Sequence, residues 1–474
     1  FKYQHQKAKD NGLVIVTRNI IFICLDTVRS DFFDKYAPRI RKLADVSFDQ
    51  CRAASSWSVP SHASMITGQL PHEHGIHTYH PDFSTLDTTD TFLNDLPNHR
   101  SICVSSNVWA TATFGFADLF DEFTDVSPRR RFQKGADMKE FHMARGNGSV
   151  YKEFLKYALN HDHPLSTFCN AIYSKTKAKL KQLPLPSFFD DGAKQILSHS
   201  LSHTRRREEP FFLFTNFMEA HGPMYDTYEY DDTLYSVPTG WDSVDFDYWN
   251  VNLNDRTVDD EDIRRYRELY SASIDYLDRQ LISFIEQIRE DTSRETTFII
   301  SADHGENLGY PEDGGLFNHV SSLSESVLHV PLYIINPPEG YDSTEGSYFT
   351  HLDLGRLVHG LANDETPDVF RDQIPAELIG GNLATRKNVP DNRLDYWDRM
   401  QRCVYQNEQK FLWDSLDDTT VYQLDYDNPC WQRETATDVT IPNWAEELFK
   451  QNINSAKRCA ESREENPSHI NNAT

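Results

Sequence analysis

Three short stretches hold side chains that could bind a cation or act as a nucleophile. CLDTVRSD leaves Asp26 where an apolar run ends, SADHGENLG leaves Asp303 and His304 side by side at the end of another, and SSWSVPSHASMITG sets Ser58 just ahead of a helix start. Adjacent Asp and His on a tight turn can both reach one divalent cation, and Gly305 behind them lets the backbone approach. Taken singly, Asp26 reads first as a helix cap and DHG as a loop. Two such strand ends brought together point instead to a metal. Ser58 carries the same double reading. Pro60 fits the first turn of a helix and Gly68 fits its stop, so Ser58 is either an N-cap or, beside a cation that lowers its pKa, a nucleophile. The helix N-terminus behind it favours an alkoxide and an incoming anion. His221, in MEAHGPMY, and His319, in FNHVSSL, follow strand ends or turns, where an imidazole can bind an anionic oxygen or protonate a leaving group.

For these residues to meet, a sheet must bring them to one edge. The runs NIIFICL (19–25), SICVSS (101–106), PFFLFTNF (210–217), TTFIIS (296–301) and VPLYIIN (330–336) are almost continuously apolar, which suits strands covered on both faces. Between them, Ile263, Tyr266, Tyr270, Ile274, Leu277, Leu281, Ile285 and Ile288 step by three or four, predicting an amphipathic helix over 258–290 with an acidic first turn. Strands alternating with helices predict a doubly wound α/β domain whose ligands bind beyond the carboxyl ends of the strands. Residues 127–205 hold no strong strand run and, with PRRR and KTKAKLKQLPLP, read as a helical or irregular excursion. The catalytic domain is thus expected over 15–345. A smaller subdomain is expected over 346–460, with a hairpin from CVYQNEQKFLWDS and TTVYQLDYD and a helix near 442–457, followed by a polar, disordered tail at 461–474.

Composition narrows the partners. The 474 residues suffice for one large domain and a smaller one. With 73 acidic against 47 basic residues the net charge is −26, which disfavours nucleic acid. Seven cysteines imply no disulfide framework, and Cys24 and Cys103 lie inside apolar runs as small hydrophobes. No apolar run approaches the ~20 residues of a membrane span, and a cytoplasmic location is the expectation.

LDTVRSD, WSVPSHASMITGQLPHEHGIH, NFMEAHGPMY, YSASIDYLDRQL, SADHGENLG, HVSSLSESVLHVPLYI and THLDLGRLV, in that order, resemble blocks of the sulfatase family within the alkaline phosphatase superfamily, and KFLWDSLDDTTVYQLDYDNP resembles its C-terminal hairpin. The resemblance implies an alkaline-phosphatase-like α/β fold, a mostly parallel sheet sandwiched by helices, with a smaller C-terminal antiparallel α+β subdomain. It also implies one divalent cation, calcium first and manganese or zinc as alternatives, held by Asp26, Asp303 and His304, with Ser58 as nucleophile. Arg29 would support the metal loop, His221 and His319 would contact the ester group, and His62 and Asn107 would lie at the substrate. Two residues depart from the family. His62 stands where the motif C/S-x-P-x-R, oxidised to formylglycine, has arginine, and Thr27 stands where sulfatases commonly carry a further aspartate. Both departures look more like the phosphodiesterase and phosphoglycerol-transferase relatives, which use an unmodified hydroxyl. The expected activity is metal-dependent cleavage of a sulfate or phosphate ester of a small molecule, glycan or lipid through Ser58. The alternatives are a phosphodiesterase, a phosphoglycerol-type transferase, or a binding protein that keeps the fold without turnover.

Overall fold

The computed structural model describes residues 17–126, 132, 134–136, 141, 149–180, 185–253, 258–319, 321–342, 347–381 and 383–462. The PRRR stretch and the tail from 463 onward lie outside these.

The apolar runs form one seven-stranded sheet. Its strands are β1 (Asn19–Leu25), β2 (Val46–Ser47), β3 (Arg100–Ser105), β4 (Glu122–Asp125), β5 (Phe211–Phe217), β6 (Thr296–Ser301) and β7 (Leu332–Ile335), in the order β2-β7-β6-β1-β5-β3-β4. β1 pairs in parallel with β5 and β6, and β3 with β5 and β4. β7 runs antiparallel to β6 and to β2. Every residue of β1, β5 and β6 is buried, as an apolar strand with helices on both faces must be.

The helix α1 (Ser58–Thr67) feeds into the sheet edge and ends at Gly68, whose φ of 68° is the left-handed conformation that glycine adopts without strain. The hairpin α2 (Val150–Asn160) and α3 (Pro164–Leu180) is followed by α4 (Ala193–Thr204). α4 buries Ile196 and Leu197 and packs on β5, so the excursion expected over 127–205 rejoins the sandwich before α4. The long predicted helix is α5 (Asp260–Asp291), capped by Asp259, whose side chain accepts from the Glu261 amide, and it buries Tyr270, Leu277, Leu281 and Ile288.

The C-terminal sheet is antiparallel throughout. Its order is β8 (Gln373–Leu378), β9 (Gln401–Gln406), β10 (Gln409–Asp414), β11 (Thr419–Leu424) and β12 (Gln432–Thr437). β10 and β11 form the predicted hairpin across residues 416–418, and the first of its two predicted segments is itself folded back, with β9 and β10 joined around Asn407 at φ 52°, where asparagine is well tolerated. The subdomain begins later than expected. Residues 349–350 pair with 51–52, and α6 (Leu354–Ala362) packs against β1 and α1, so this stretch belongs to the main sandwich. A buried ion cluster joins the two parts: Arg52 Nε donates to Glu325 Oε2 at 3.0 Å, Lys410 Nζ to Glu325 Oε1 at 3.2 Å, and Tyr405 Oη to the same oxygen at 2.6 Å. Removing one partner would strand the others' charges in the interior.

Candidate active site

Because β1, β3, β5 and β6 run in parallel, their carboxyl ends share one edge, and the residues just beyond them are Asp26, Asn107, His221, Asp303 and His304. α1 brings Ser58 to the same edge as its first helical residue. The N-cap is Trp57, which makes no side-chain cap bond, so Ser58 is not the cap. Its hydroxyl donates to Asp26 Oδ2 at 3.2 Å and lies 3.4 Å from His304 Nε2.

Asp26, Asp303 and His304 are fully buried, with one ligand atom of each within 4.8 Å of the others. Among the described residues, Asp26 Oδ1 and Asp303 Oδ2 have no hydrogen-bond partner. A buried carboxylate oxygen left so is costly unless a cation meets it. Burial, and then the neighbouring Asp303 charge, push the Asp26 carboxyl well above its ordinary range. Asp303 Oδ1 in turn accepts from the Thr27 amide at 3.3 Å and the His304 amide at 2.9 Å. His304 Nδ1 lies 2.9 Å from the Gly305 carbonyl, which can only accept. Its proton is therefore on Nδ1, the Nε2 lone pair faces Ser58, and burial keeps the ring neutral by lowering its pKa to about 4. Two carboxylate oxygens, an imidazole nitrogen and a hydroxyl at one point form a donor set that fits a divalent cation.

The supporting residues lie behind this set. Thr27 sits at φ 63°, strained for a β-branched residue, and Tyr270 Oη fixes it by donating to its carbonyl at 2.7 Å. Arg29 pairs with Asp31 and reaches the Glu306 carbonyl at 3.3 Å, so it braces the loop after His304 and does not reach Ser58. His62 is the correction. It does not face the cleft: four residues along α1 from Ser58, its ring points down at the sheet, with Nδ1 donating to the Ser58 carbonyl at 2.6 Å and Nε2 accepting from Asn216 at 3.0 Å. Burial also lowers its pKa, so it anchors the first turn of α1 as a neutral ring.

Ser58 opens into a cleft of about 350 Å³ with aromatic walls that include Trp57, Trp109, Tyr248 and Phe317. Asn107 lines it and donates to Asp26 Oδ2 at 2.6 Å, while its own Oδ1 accepts from the Trp109 amide at 2.8 Å. His221 and His319 lie on the cleft wall with ring centroids 5.4 Å apart, and His319 is 4.5 Å from the His304 ring. His221 Nδ1 donates to the Gly222 carbonyl at 2.6 Å, which leaves Nε2 as its free nitrogen. His319 Nδ1 is 2.9 Å from Glu306 Oε2. Burial pushes the Glu306 carboxyl up to about 7 and holds His319 down at about 4, so near neutrality the carboxyl titrates while the ring stays neutral. Sequence reasoning passed over Glu306. Its signal was its place two residues after His304 in the same acidic turn.

Residues 18–363 match the family described as sulfatase. Among curated proteins, the uncharacterized sulfatase YidJ of Escherichia coli (strain K12) is 24% identical over 199 residues, 38% of this chain and 36% of that protein. Choline-sulfatase of Rhizobium meliloti (strain 1021) is 22% identical over 353 residues, 67% of this chain and 62% of that protein. The chain therefore matches less than two thirds of the length of either relative. Among solved structures, the phosphonate monoester hydrolase of Agrobacterium radiobacter superposes with a TM-score of 0.56 at 13% identity, covering 86% of this chain and 89% of that one. That likeness is one of fold.

Proposed function

Since the chain belongs to the sulfatase family, we propose that it is a metal-dependent hydrolase of sulfate or phosphate esters with Ser58 as its nucleophile. The observation that carries this reading is the Ser58 hydroxyl held between Asp26 Oδ2 and His304 Nε2, next to two unpartnered carboxylate oxygens. A divalent cation bound by Asp26, Asp303, His304 and Ser58 would supply Lewis acidity at the ester and lower the hydroxyl's pKa. Asp26 accepts the hydroxyl's hydrogen bond and aims Oγ at the cleft. His304, anchored through Gly305, holds its Nε2 lone pair toward the same point, where the cation would take it. His319, backed by Glu306, stands at the cleft wall, where a departing alkoxide would take up a proton, and His221 presents Nε2 beside it.

One feature supports phosphorus over sulfur as the attacked atom, and another bears on the charge of the ester. His62, in the place of the motif's arginine, is committed to the Ser58 carbonyl and Asn216, which supports a bare hydroxyl at Ser58. A serine ester of phosphate is then easier to resolve than one of sulfate. None of the described residues lining the cleft is Lys, Arg, Asp or Glu, which suits a singly charged ester such as a phosphodiester, phosphonate monoester or sulfate monoester better than a dianionic phosphate monoester. The relatives with sulfatase and phosphonate hydrolase names span the same two chemistries. The imidazole nitrogen in the donor set, with Thr27 supplying no carboxylate, favours manganese or zinc over calcium.

The test is hydrolysis of an aryl sulfate, an aryl phosphate and a bis-aryl phosphate, with calcium or manganese, by wild type and Ser58→Ala in parallel. Serine-dependent diester cleavage without sulfate release is the expected result. Serine-dependent sulfate release would mean that Ser58 is oxidised, which the mass of its peptide would report. Activity that survives Ser58→Ala would end the nucleophile assignment.

A further inference from the structure

One segment reverses the charge of the molecule. Residues 127–184 contain 12 Lys and Arg against 4 Asp and Glu, a net of +8 in a chain whose total is −26. Its described core is the α2–α3 hairpin, held together by ring contacts of Phe154 with Phe141 and Phe168. The inner side of α2 is thus already filled, with Ala158 buried there. Yet the hairpin carries a second apolar surface. Tyr151, Leu155 and Leu159 on α2 are 75%, 50% and 61% exposed, and Leu165 and Ile172 on α3 are 82% and 67% exposed. Steps of four, or of seven, keep each set on one face of its helix. Lys175 lies over the Tyr151 ring at 5.3 Å, which brings the two stripes to adjoining sides, and exposed Lys152 and Lys156 border the α2 stripe.

An apolar stripe edged by lysines, on an otherwise acidic body, is how a helix lies in a lipid interface: the apolar face enters the acyl boundary and the lysine stems reach back to the headgroups. No helix among the described residues is long and apolar enough to cross a membrane. We propose that the α2–α3 hairpin docks this protein on the surface of an anionic lipid bilayer, lying on it and not spanning it. Charge selects this occupant. A second copy meeting hairpin to hairpin would bring two basic segments together, and nucleic acid would leave the apolar stripes in water while repelling the acidic remainder of the chain.

Cys169, which shares the exposed face of α3 with Leu165 and Ile172, is one of two exposed free cysteines, the other being Cys459. The full chain carrying Cys459→Ser, labelled at Cys169 with an environment-sensitive fluorophore, is titrated with vesicles of phosphatidylcholine alone or of equimolar phosphatidylcholine and phosphatidylglycerol. The expected result is a blue shift and co-flotation with the anionic vesicles only, lost between ~50 mM and ~500 mM salt as charge is screened. Lys152→Gln with Lys156→Gln should weaken partitioning at least tenfold, since each basic residue near such a surface contributes about 1 kcal/mol, roughly fivefold. Leu155→Ser with Leu165→Ser should abolish it, with helicity and melting temperature unchanged. Absence of binding to anionic vesicles at low salt overturns the proposal, as does binding indifferent to these substitutions. A concentration-dependent rise in mass that Leu155→Ser with Leu165→Ser removes, without vesicle binding, would assign the face to a second copy.

Discussion

At the scale of single residues, the Ser58 hydroxyl spends its hydrogen bond on Asp26 and leaves the first turn of its helix uncapped. Ser58→Ala should therefore lower turnover by about a thousandfold or more while shifting the melting temperature little, because no cap is lost. A large drop in melting temperature would show that the hydroxyl serves the fold. Asp303→Asn separates metal from chemistry. Wild type should gain stability on adding manganese, about 2.7 kcal/mol at a hundredfold excess over Kd, and the variant should lose that gain. In chelator the variant should be at least as stable as wild type, since one of two adjoining buried carboxylates is gone. A metal-dependent rise in melting temperature that persists in Asp303→Asn would contradict the ligand set. The legible residues were those that a strand end fixes: Asp26, Asp303 and His304 had only one edge to occupy. His62 was not legible because its role depends on which way a helical side chain faces, and four residues on from Ser58 that direction is the sheet.

At the scale of elements, the turn that carries Asp303 and His304 is held by close backbone approach. A Cβ on Gly305 would lie 2.1 Å from the Ser326 carbonyl oxygen, and the Gly305 amide donates to the Val327 carbonyl at 2.7 Å. Gly305→Ala must push the metal-side turn out of place, and metal affinity and turnover should each fall at least about tenfold. Gly314→Ala is the contrast. Its Cβ would meet nothing within 4 Å, so its φ of 67° makes it cost about 1 kcal/mol in stability and leaves turnover intact. Equal losses of activity in the two would defeat the argument. The strands were legible because burial on both faces demands unbroken apolar runs. α4 was not, because Ile196, Leu197 and Leu201 are set among Ser and His, and its packing on β5 decides what propensity leaves open. The boundary at 346 was misplaced for a related reason: α6 reads as the start of something new, yet its apolar face closes over β1 and α1.

At the scale of the whole molecule, the cluster of Arg52, Glu325 and Lys410 fastens the C-terminal sheet to the sandwich. Burial alone would raise the Glu325 carboxyl, but Arg52 and Lys410 hold it at about 2, below its ordinary 4.5. A carboxyl depressed by folding contributes stability above its unfolded pKa and loses it as pH falls from about 4.5 toward 2. His329, kept neutral by burial at about 3 against an ordinary 6.5, adds a loss that starts near 6.5 as the unfolded chain takes up the proton. Melting temperature should thus fall steadily from pH 7 to 3, and Glu325→Gln, less stable at pH 7, should flatten the part below 4.5. An unchanged slope in the variant would locate the acid sensitivity elsewhere. The net charge of −26 adds a salt dependence: screening its self-repulsion should raise the melting temperature from ~0.05 to ~1 M potassium chloride.

The position of β1 also sets a clock. The strand is made before both of its neighbours: it lies between β5, made some two hundred residues later, and β6, nearly three hundred later. During synthesis it waits, apolar and unpaired, for neighbours that do not yet exist. Asp26 and Ser58 meet Asp303 and His304 only when β6 closes the sheet, and the Arg52–Glu325 pair is complete only once Lys410 has followed. A ribosome that stops before β6 therefore releases a fragment that can neither gather these four residues nor hide its central strand, and chaperones should recognise β1 on every chain until β6 has been made.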